Sequence, residues 1–299
     1  MKKLVFYLLL FLPSLMLVSQ NLKPYIVGFE TKESIKIVQE KLLKELDANG
    51  LNVVGQYQPA NDKNRWLIVF TAPELENSVK KIGGLTGFAS TLRIAITVEN
   101  DKTIVSYTLP EYWGNAYFRA DYDKVASNYA ALKLHLETAM KASGDFIGKT
   151  FGSKQGIASK DLRKYHYMMA MPYFEDVVEL GKFENYNAAL ACIDKNLKKG
   201  VPGVRMVARV STPGKELTLY NFAVSGAKGE SKFLPIIDIG QPKQTAFLPY
   251  EVLVYGGRVL MLHGRFRIAL SFPDLTMGTF TKIMSTPGDI EGLLAQVVK

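Results

Sequence analysis

His135, His166 and His263 are the only histidines in the chain, and Cys192 is its only cysteine. A nucleophilic triad needs a base held against a serine or thiol, and no G-x-S-x-G elbow is present. The histidines are spread from 135 to 263 without a His-Glu-x-x-His pair or a second cysteine, so the spacing does not encode a zinc site. Ser78 and Lys81 have Ser-x-x-Lys spacing, but on a lysine-rich helix and without companion motifs. Gly144, Gly148, Lys149 and Thr150 imitate a phosphate-cradling loop with one residue too few before the Gly-Lys pair. That stretch, 143–156, reads as a glycine-punctuated flexible connector.

Two segments keep a chemical claim. In RFRIALSF (265–272), Phe266, Ile268, Leu270 and Phe272 alternate with Arg265, Arg267, Ala269 and Ser271. As a strand, this would put two arginines on one face. Glu251, Tyr255 and His263 precede it closely enough to converge there. Glu251 would neutralise one arginine while the other offers a bidentate fork to a carboxylate or phosphate. The plainer alternative is a cross-strand ion pair contributing about 1 kcal/mol. An enzyme acting on a small anionic substrate through His263 and Glu251, with Arg265 and Arg267, is the rival use of the same residues.

The second segment, KYHYMMAMPYFED (164–176), supplies His166, Met168, Met169 and Met171, ligand types that copper favours. Methionine beside tyrosine also fills irregular cores, and this packing alternative is the one adopted, with no metal and no cofactor expected. PEYWGNAYFRADY (110–122) gathers aromatics that suit either a ligand groove or an internal seam. Cys192, in the apolar-faced pattern NAALACIDKNL, reads as an inert buried thiol.

The elements that must position these residues are written twice. FETKESIKIVQEKLL (29–43) echoes FENYNAALACIDKNL (183–197), and the same offset carries Pro59 to Pro213 and Trp66 to Tyr220. STLRIAITVENDKTIVSYTL (90–109) likewise resembles LPYEVLVYGGRVLML (248–262). Each half reads as strand, helix, strand, strand, helix, strand, strand: an α+β layout with an antiparallel sheet and helices on one face. First-half strands fall near 25–30, 51–58, 64–71, 89–98 and 103–109, with helices near 32–48 and 73–82. The expected divisions are a leader at 1–19, a first repeat at 24–118, a helical connector at 119–171 and a second repeat at 172–299.

In the connector, Val125, Tyr129, Leu132, Leu136 and Met140 form the apolar stripe of a helix near 121–141, and Ser159 is an N-cap candidate for a second. Near the C-terminus Thr286, Pro287 and Asp289 signal the start of a last helix.

The first nineteen residues, MKKLVFYLLLFLPSLMLVS, have the charged, apolar and small-residue layout of a secretory signal peptide. A retained anchor is the rival reading. The rest holds no stretch of membrane-spanning length, so a periplasmic or extracellular protein is expected. The formal charge of +9 includes Lys2 and Lys3 in the leader, and the remaining lysines are scattered. That is a solvated basic surface, not a nucleic-acid footprint. The expected partner is a small anionic ligand or an envelope protein.

The combination of LPYEVLVYGGRVLML, RFRIALSFPDLTM and IMSTPGDIEGLLAQV resembles the proteins grouped as domain of unknown function 302. TAPELENSVKKIGG and LRIAITVENDKTIVSY look like a diverged second copy. The resemblance implies a compact α+β domain, similar in architecture to the TATA-binding-protein fold, that associates in pairs. A tandem chain satisfies that pairing within itself; a homodimer is the other outcome. No activity or site residue comes with the resemblance, and fold likeness to a DNA-binding protein does not argue for DNA binding. The functional expectation is a non-enzymatic binding protein with its site at the junction of the two halves.

Overall fold

The computed structural model describes residues 21–299; the leader expected at 1–19 lies outside them. The first half comprises β1 (Asn21–Leu22), β2 (Tyr25–Thr31), α1 (Ile35–Ala48), β3 (Asn52–Tyr57), β4 (Arg65–Thr71), α2 (Pro73–Ile82), β5 (Leu92–Glu99), β6 (Lys102–Thr108) and α3 (Pro110–Phe118). Local chemistry sets the helix ends. The Ser34 side chain accepts the Ile37 N–H at the start of α1, whose Val38, Leu42 and Leu46 recur every four residues and are buried. In α2, Pro73 occupies the first turn with Glu74 and Glu76, while Lys80 and Lys81 close the last turn, matching the helix dipole at both ends.

The connector holds α4 (Ala126–Ser143), β7 (Lys149–Phe151), β8 (Ile157–Ala158) and α5 (Ser159–Leu162). The second half continues with β9 (Val178–Lys182), α6 (Tyr186–Lys199), β10 (Val204–Thr212), β11 (Leu217–Val224), α7 (Glu230–Ile237), β12 (Tyr250–Tyr255) and β13 (Arg258–Met261). It ends in α8 (Gly264–Ser271), α9 (Met277–Lys282) and α10 (Thr286–Leu294).

The two main sheets are antiparallel throughout, in the orders β3-β4-β5-β6-β2-β7 and β10-β11-β12-β13-β9. Setting β7 aside, strand order and helix placement are the same in both halves. So is the irregularity: bulges fall at Gly28 and Val54 in the first sheet and at Leu180 and Val207 in the second, in corresponding strands. This is the α+β architecture expected, two halves each with an antiparallel sheet and helices on one face. Among the described residues no helix is long and apolar enough to cross a membrane.

Helices α1, α2 and α4 pack together over the first sheet. Its other face turns toward the second half. The short turn Gly84–Ala89, after α2, lies over β11 and β12, and the turn Thr245–Phe247, after α7, lies over β4, β5 and β6. Each half thus sends the same loop across the other's sheet. Gly87 has Leu253 and Leu217 where a side chain would begin, and Gly55 on β3 faces the Val207 carbonyl of β10 so closely that no Cβ fits. Central strands are therefore covered on both faces, and all of β5 except Val98 is buried.

Several local expectations are corrected. RFRIALSF is not a strand; it forms helix α8, entered through His263, whose side chain accepts the Arg265 N–H. Every residue from Phe266 to Ser271 is buried, so the alternation of apolar and polar types has no solvent side to report. The last carbonyls of α8 are capped by tyrosines from elsewhere: Tyr165 donates to Ala269 at 3.0 Å, Tyr112 to Leu270 at 2.8 Å and Tyr25 to Ser271 at 3.2 Å.

The 143–156 stretch is not merely a connector, because its Lys149–Phe151 segment is the sixth strand, paired with β2. The connector helix starts later than expected, after a turn at Arg119–Lys124. Ser159 is the first residue of the four-residue α5 rather than its cap, and Ser285 rather than Thr286 precedes α10. The 110–122 aromatics form a seam: Phe118 and Tyr122 pack against Tyr129 of α4, and Gly114 admits the two tyrosine rings where a side chain would clash. Cys192 is half-buried, its thiol directed to the Val298 carbonyl.

Candidate functional site

Of the five residues proposed as a ligand site, Glu251 and Arg267 join charged side chain to charged side chain, and they do so in the interior. Arg267 donates from Nε to Glu251 Oε2 at 2.7 Å, and from Nη2 to the carbonyls of Phe247 and Pro249. Its guanidinium lies over the Tyr250 ring, 4.4 Å from the centroid. Arg93, from β5 of the first half, pairs with the other carboxylate oxygen of Glu251. All three side chains are buried. Burial, and then the neighbouring Arg267, lower the Arg93 pKa to about 10. Two guanidiniums sharing one carboxylate, with no opening to solvent, fasten the halves together; they do not receive a ligand.

Tyr255 is exposed at the end of β12, and Arg265 is exposed on the first turn of α8. His263 bonds the Arg265 N–H through Nδ1 at 3.2 Å, whereas both Glu251 oxygens are held by arginines. The His263–Glu251 acid–base pair is therefore not formed. Burial, with Arg265 beside it, holds the His263 imidazole below its ordinary pKa.

The copper set does not converge either. His166 Nε2 sits 2.7 Å from the Met171 carbonyl and its ring stacks on Tyr173, while Met169 is 91% exposed. Among the described residues no group of three or more His, Cys, Asp or Glu could hold a metal ion. His166, His263 and Arg265 do share the lining of one open surface hollow, together with Asp176.

The hollow that spans the junction is elsewhere and was not signalled by the sequence. It has a volume of about 230 Å³ and is lined by Tyr57, Ala60 and Asn61 from the first half and by Arg205, Glu230 and Ser231 from the second. Glu230 is the first residue of α7 and only 2% exposed. Its Oε1 accepts from the Tyr57 hydroxyl at 2.9 Å and the Val224 N–H at 3.3 Å; its Oε2 accepts the Ala60 N–H at 2.8 Å. Desolvation outweighs these bonds and pushes the carboxyl up to about 7.

Ala60 and Asn61 both lie in the left-handed region, at φ 54° and 56°, unusual for consecutive non-glycine residues. The Glu230 bond holds that turn in place. Arg205 covers the Tyr57 ring at 5.6 Å and makes no ion pair among the described residues. The hollow thus presents a free guanidinium, a carboxyl that can carry a proton near neutrality, and strained backbone. Only a contact between residues 170 apart identifies it; locally, Glu230 reads as an ordinary acidic residue at a helix start.

No known family and no curated protein matches the sequence. Among solved structures, that of an uncharacterised conserved protein, DUF302, from Bacillus stearothermophilus is similar over 40% of this chain and 97% of its own, at 13% identity and a TM-score of 0.35.

Proposed function

We propose that the chain is an exported, non-enzymatic binding protein, built as two copies of one α+β unit, that takes a small anionic ligand in the junction hollow between them. Duplication is supported by the matching strand order, the matching bulges and the reciprocal crossing of Gly84–Ala89 and Thr245–Phe247. The observation that carries the binding reading is the unpaired Arg205 beside the buried Glu230, each from the second half, facing the Tyr57–Asn61 turn of the first. Arg205 supplies the fork for a carboxylate or phosphate, and protonated Glu230 supplies a donor instead of a repelling charge.

Calorimetric titration with a panel of small carboxylates and phosphate esters tests this. Saturable binding that weakens at least tenfold in Arg205→Ala supports the site; binding indifferent to Arg205, or absent across the panel, rejects it. N-terminal sequencing of the mature protein tests export, with cleavage expected near Ser19. A carboxyl near 7 also suits proton transfer, so turnover of a bound ligand that is abolished in Glu230→Gln would replace the non-enzymatic reading with an enzymatic one.

A further inference from the structure

Two depressions on the outer side of α8 share part of their lining. One is a shallow crevice of about 40 Å³ walled by Met168, Met171, Met277, Phe280 and Ile268, with Tyr167 and Arg265 as its polar-tipped members. The other is the open hollow of about 470 Å³ that holds His166, His263, Arg265 and Asp176. Met171 and Arg265 belong to both, so an apolar trough runs into a rim that carries Arg265, two histidines and Asp176.

Three features of this surface call for an occupant. Met168 is 45% and Met277 55% exposed, although both flank a crevice that would bury them if filled. Methionine side chains are unbranched and adaptable, suited to a flexible chain of methylenes more than to one rigid shape. The Arg265 guanidinium makes no ion pair or hydrogen bond among the described residues; only its backbone N–H is engaged. Asp176, the one acid in the hollow, is committed to the Tyr173 N–H at 2.8 Å.

We infer that this surface binds a free single-chain amphiphile with a carboxylate head. The carboxylate lies against Arg265, and the chain lies between Met168, Met171 and Met277. The site is separate from the junction hollow and does not depend on it.

The test uses the mature protein labelled at its methionine methyl groups and followed by NMR, with decanoate as probe below its aggregation concentration. Decanol and acetate separate tail from charge. The methyl signals of Met168, Met171 and Met277, assigned through Met→Leu variants, should move saturably with decanoate and at least tenfold more weakly with either control. Arg265→Gln should weaken decanoate about tenfold and leave decanol unchanged. Since Arg265 is exposed, the variant should keep its melting temperature; Arg265→Glu, reversing the charge, is the second variant. Absence of saturable movement, decanol binding as tightly as decanoate, or indifference to both Arg265 variants overturns the inference. So does sedimentation with phosphatidylglycerol vesicles that is lost in Arg265→Gln, which would make the surface a membrane dock.

Discussion

Tyr57, the last residue of β3, donates its hydroxyl hydrogen to Glu230, the first residue of α7, at 2.9 Å. The same carboxylate receives the Ala60 N–H, so one acidic group of the second half fixes both the end of a strand and the strained turn of the first. Burial makes that group sensitive to pH in the range where most proteins are handled.

The Glu230 carboxyl is raised from 4.5 to about 7, chiefly by desolvation. A raised carboxyl binds its proton more tightly in the folded state. Its stabilising contribution is complete below the unfolded value and is lost as pH rises through about 7. The difference corresponds to about 3 kcal/mol. Urea denaturation between pH 5 and pH 8 should show stability falling with pH in the native protein, with a flatter profile in Glu230→Gln. Parallel profiles would mean that Glu230 titrates as it does in the unfolded chain.

Ligand binding should follow the same proton. With Glu230 protonated the junction hollow is net basic through Arg205, and with Glu230 ionised the two charges oppose each other across it. Affinity for a carboxylate or phosphate probe, measured by calorimetry, should rise as pH falls through about 7 and become level in Glu230→Gln.

The buried ion cluster sets a different expectation. Among the described residues Glu251 is the only carboxylate bonded to Arg93 and Arg267, and all three are out of water. Removing it leaves two uncompensated guanidiniums, a change that costs about 3–5 kcal/mol for a buried pair. Glu251→Gln should lower the urea midpoint sharply. Glu179→Gln should barely move it, because the Arg258–Glu179 pair is solvent-exposed and such pairs contribute about 0–1 kcal/mol.

Much of the fold was legible because its signals are local. The strands 65–71 and 92–99 carry β-branched and apolar runs, and α2 begins with Pro73 and carries lysines in its last turn. Helix α8 was misread because burial of every residue from Phe266 to Ser271 removes the one-faced pattern that distinguishes a helix from a strand. The same helix explains the fate of the candidate site. Turning Arg265 and Arg267 from strand to helix sends one outward and the other into the core, so residues expected to cooperate are separated. The junction hollow left no local trace, since Arg205, Glu230 and Tyr57 meet only when the sheets are apposed.

The tyrosine caps of α8 give a paired measurement. Tyr112→Phe leaves the buried Leu270 carbonyl without its donor and should cost about 1–3 kcal/mol. Tyr107→Phe removes a buried hydroxyl that has no partner among the described residues, so its effect should be near zero or stabilising. Equal losses in the two variants would show that ring packing, not the bond to the helix end, matters at Tyr112.

The apposition of the halves has its own probe in Gly55. A Cβ built there would run into the Val207 carbonyl oxygen, which is backbone at the β10 bulge, so no side-chain rotation can relieve the clash. Gly55→Ala must therefore push β3 and β10 apart, at a cost of about 1–3 kcal/mol or more. Gly288, in the first turn of α10, has nothing within 4 Å of its would-be Cβ, and Gly288→Ala should be neutral or slightly stabilising. Because the β3–β10 contact lies beside the Tyr57–Glu230 bond, Gly55→Ala should also weaken binding in the junction hollow, whereas Gly288→Ala should leave it unchanged. A Gly55→Ala protein with native stability and native affinity would show that the two sheets do not meet along these strands.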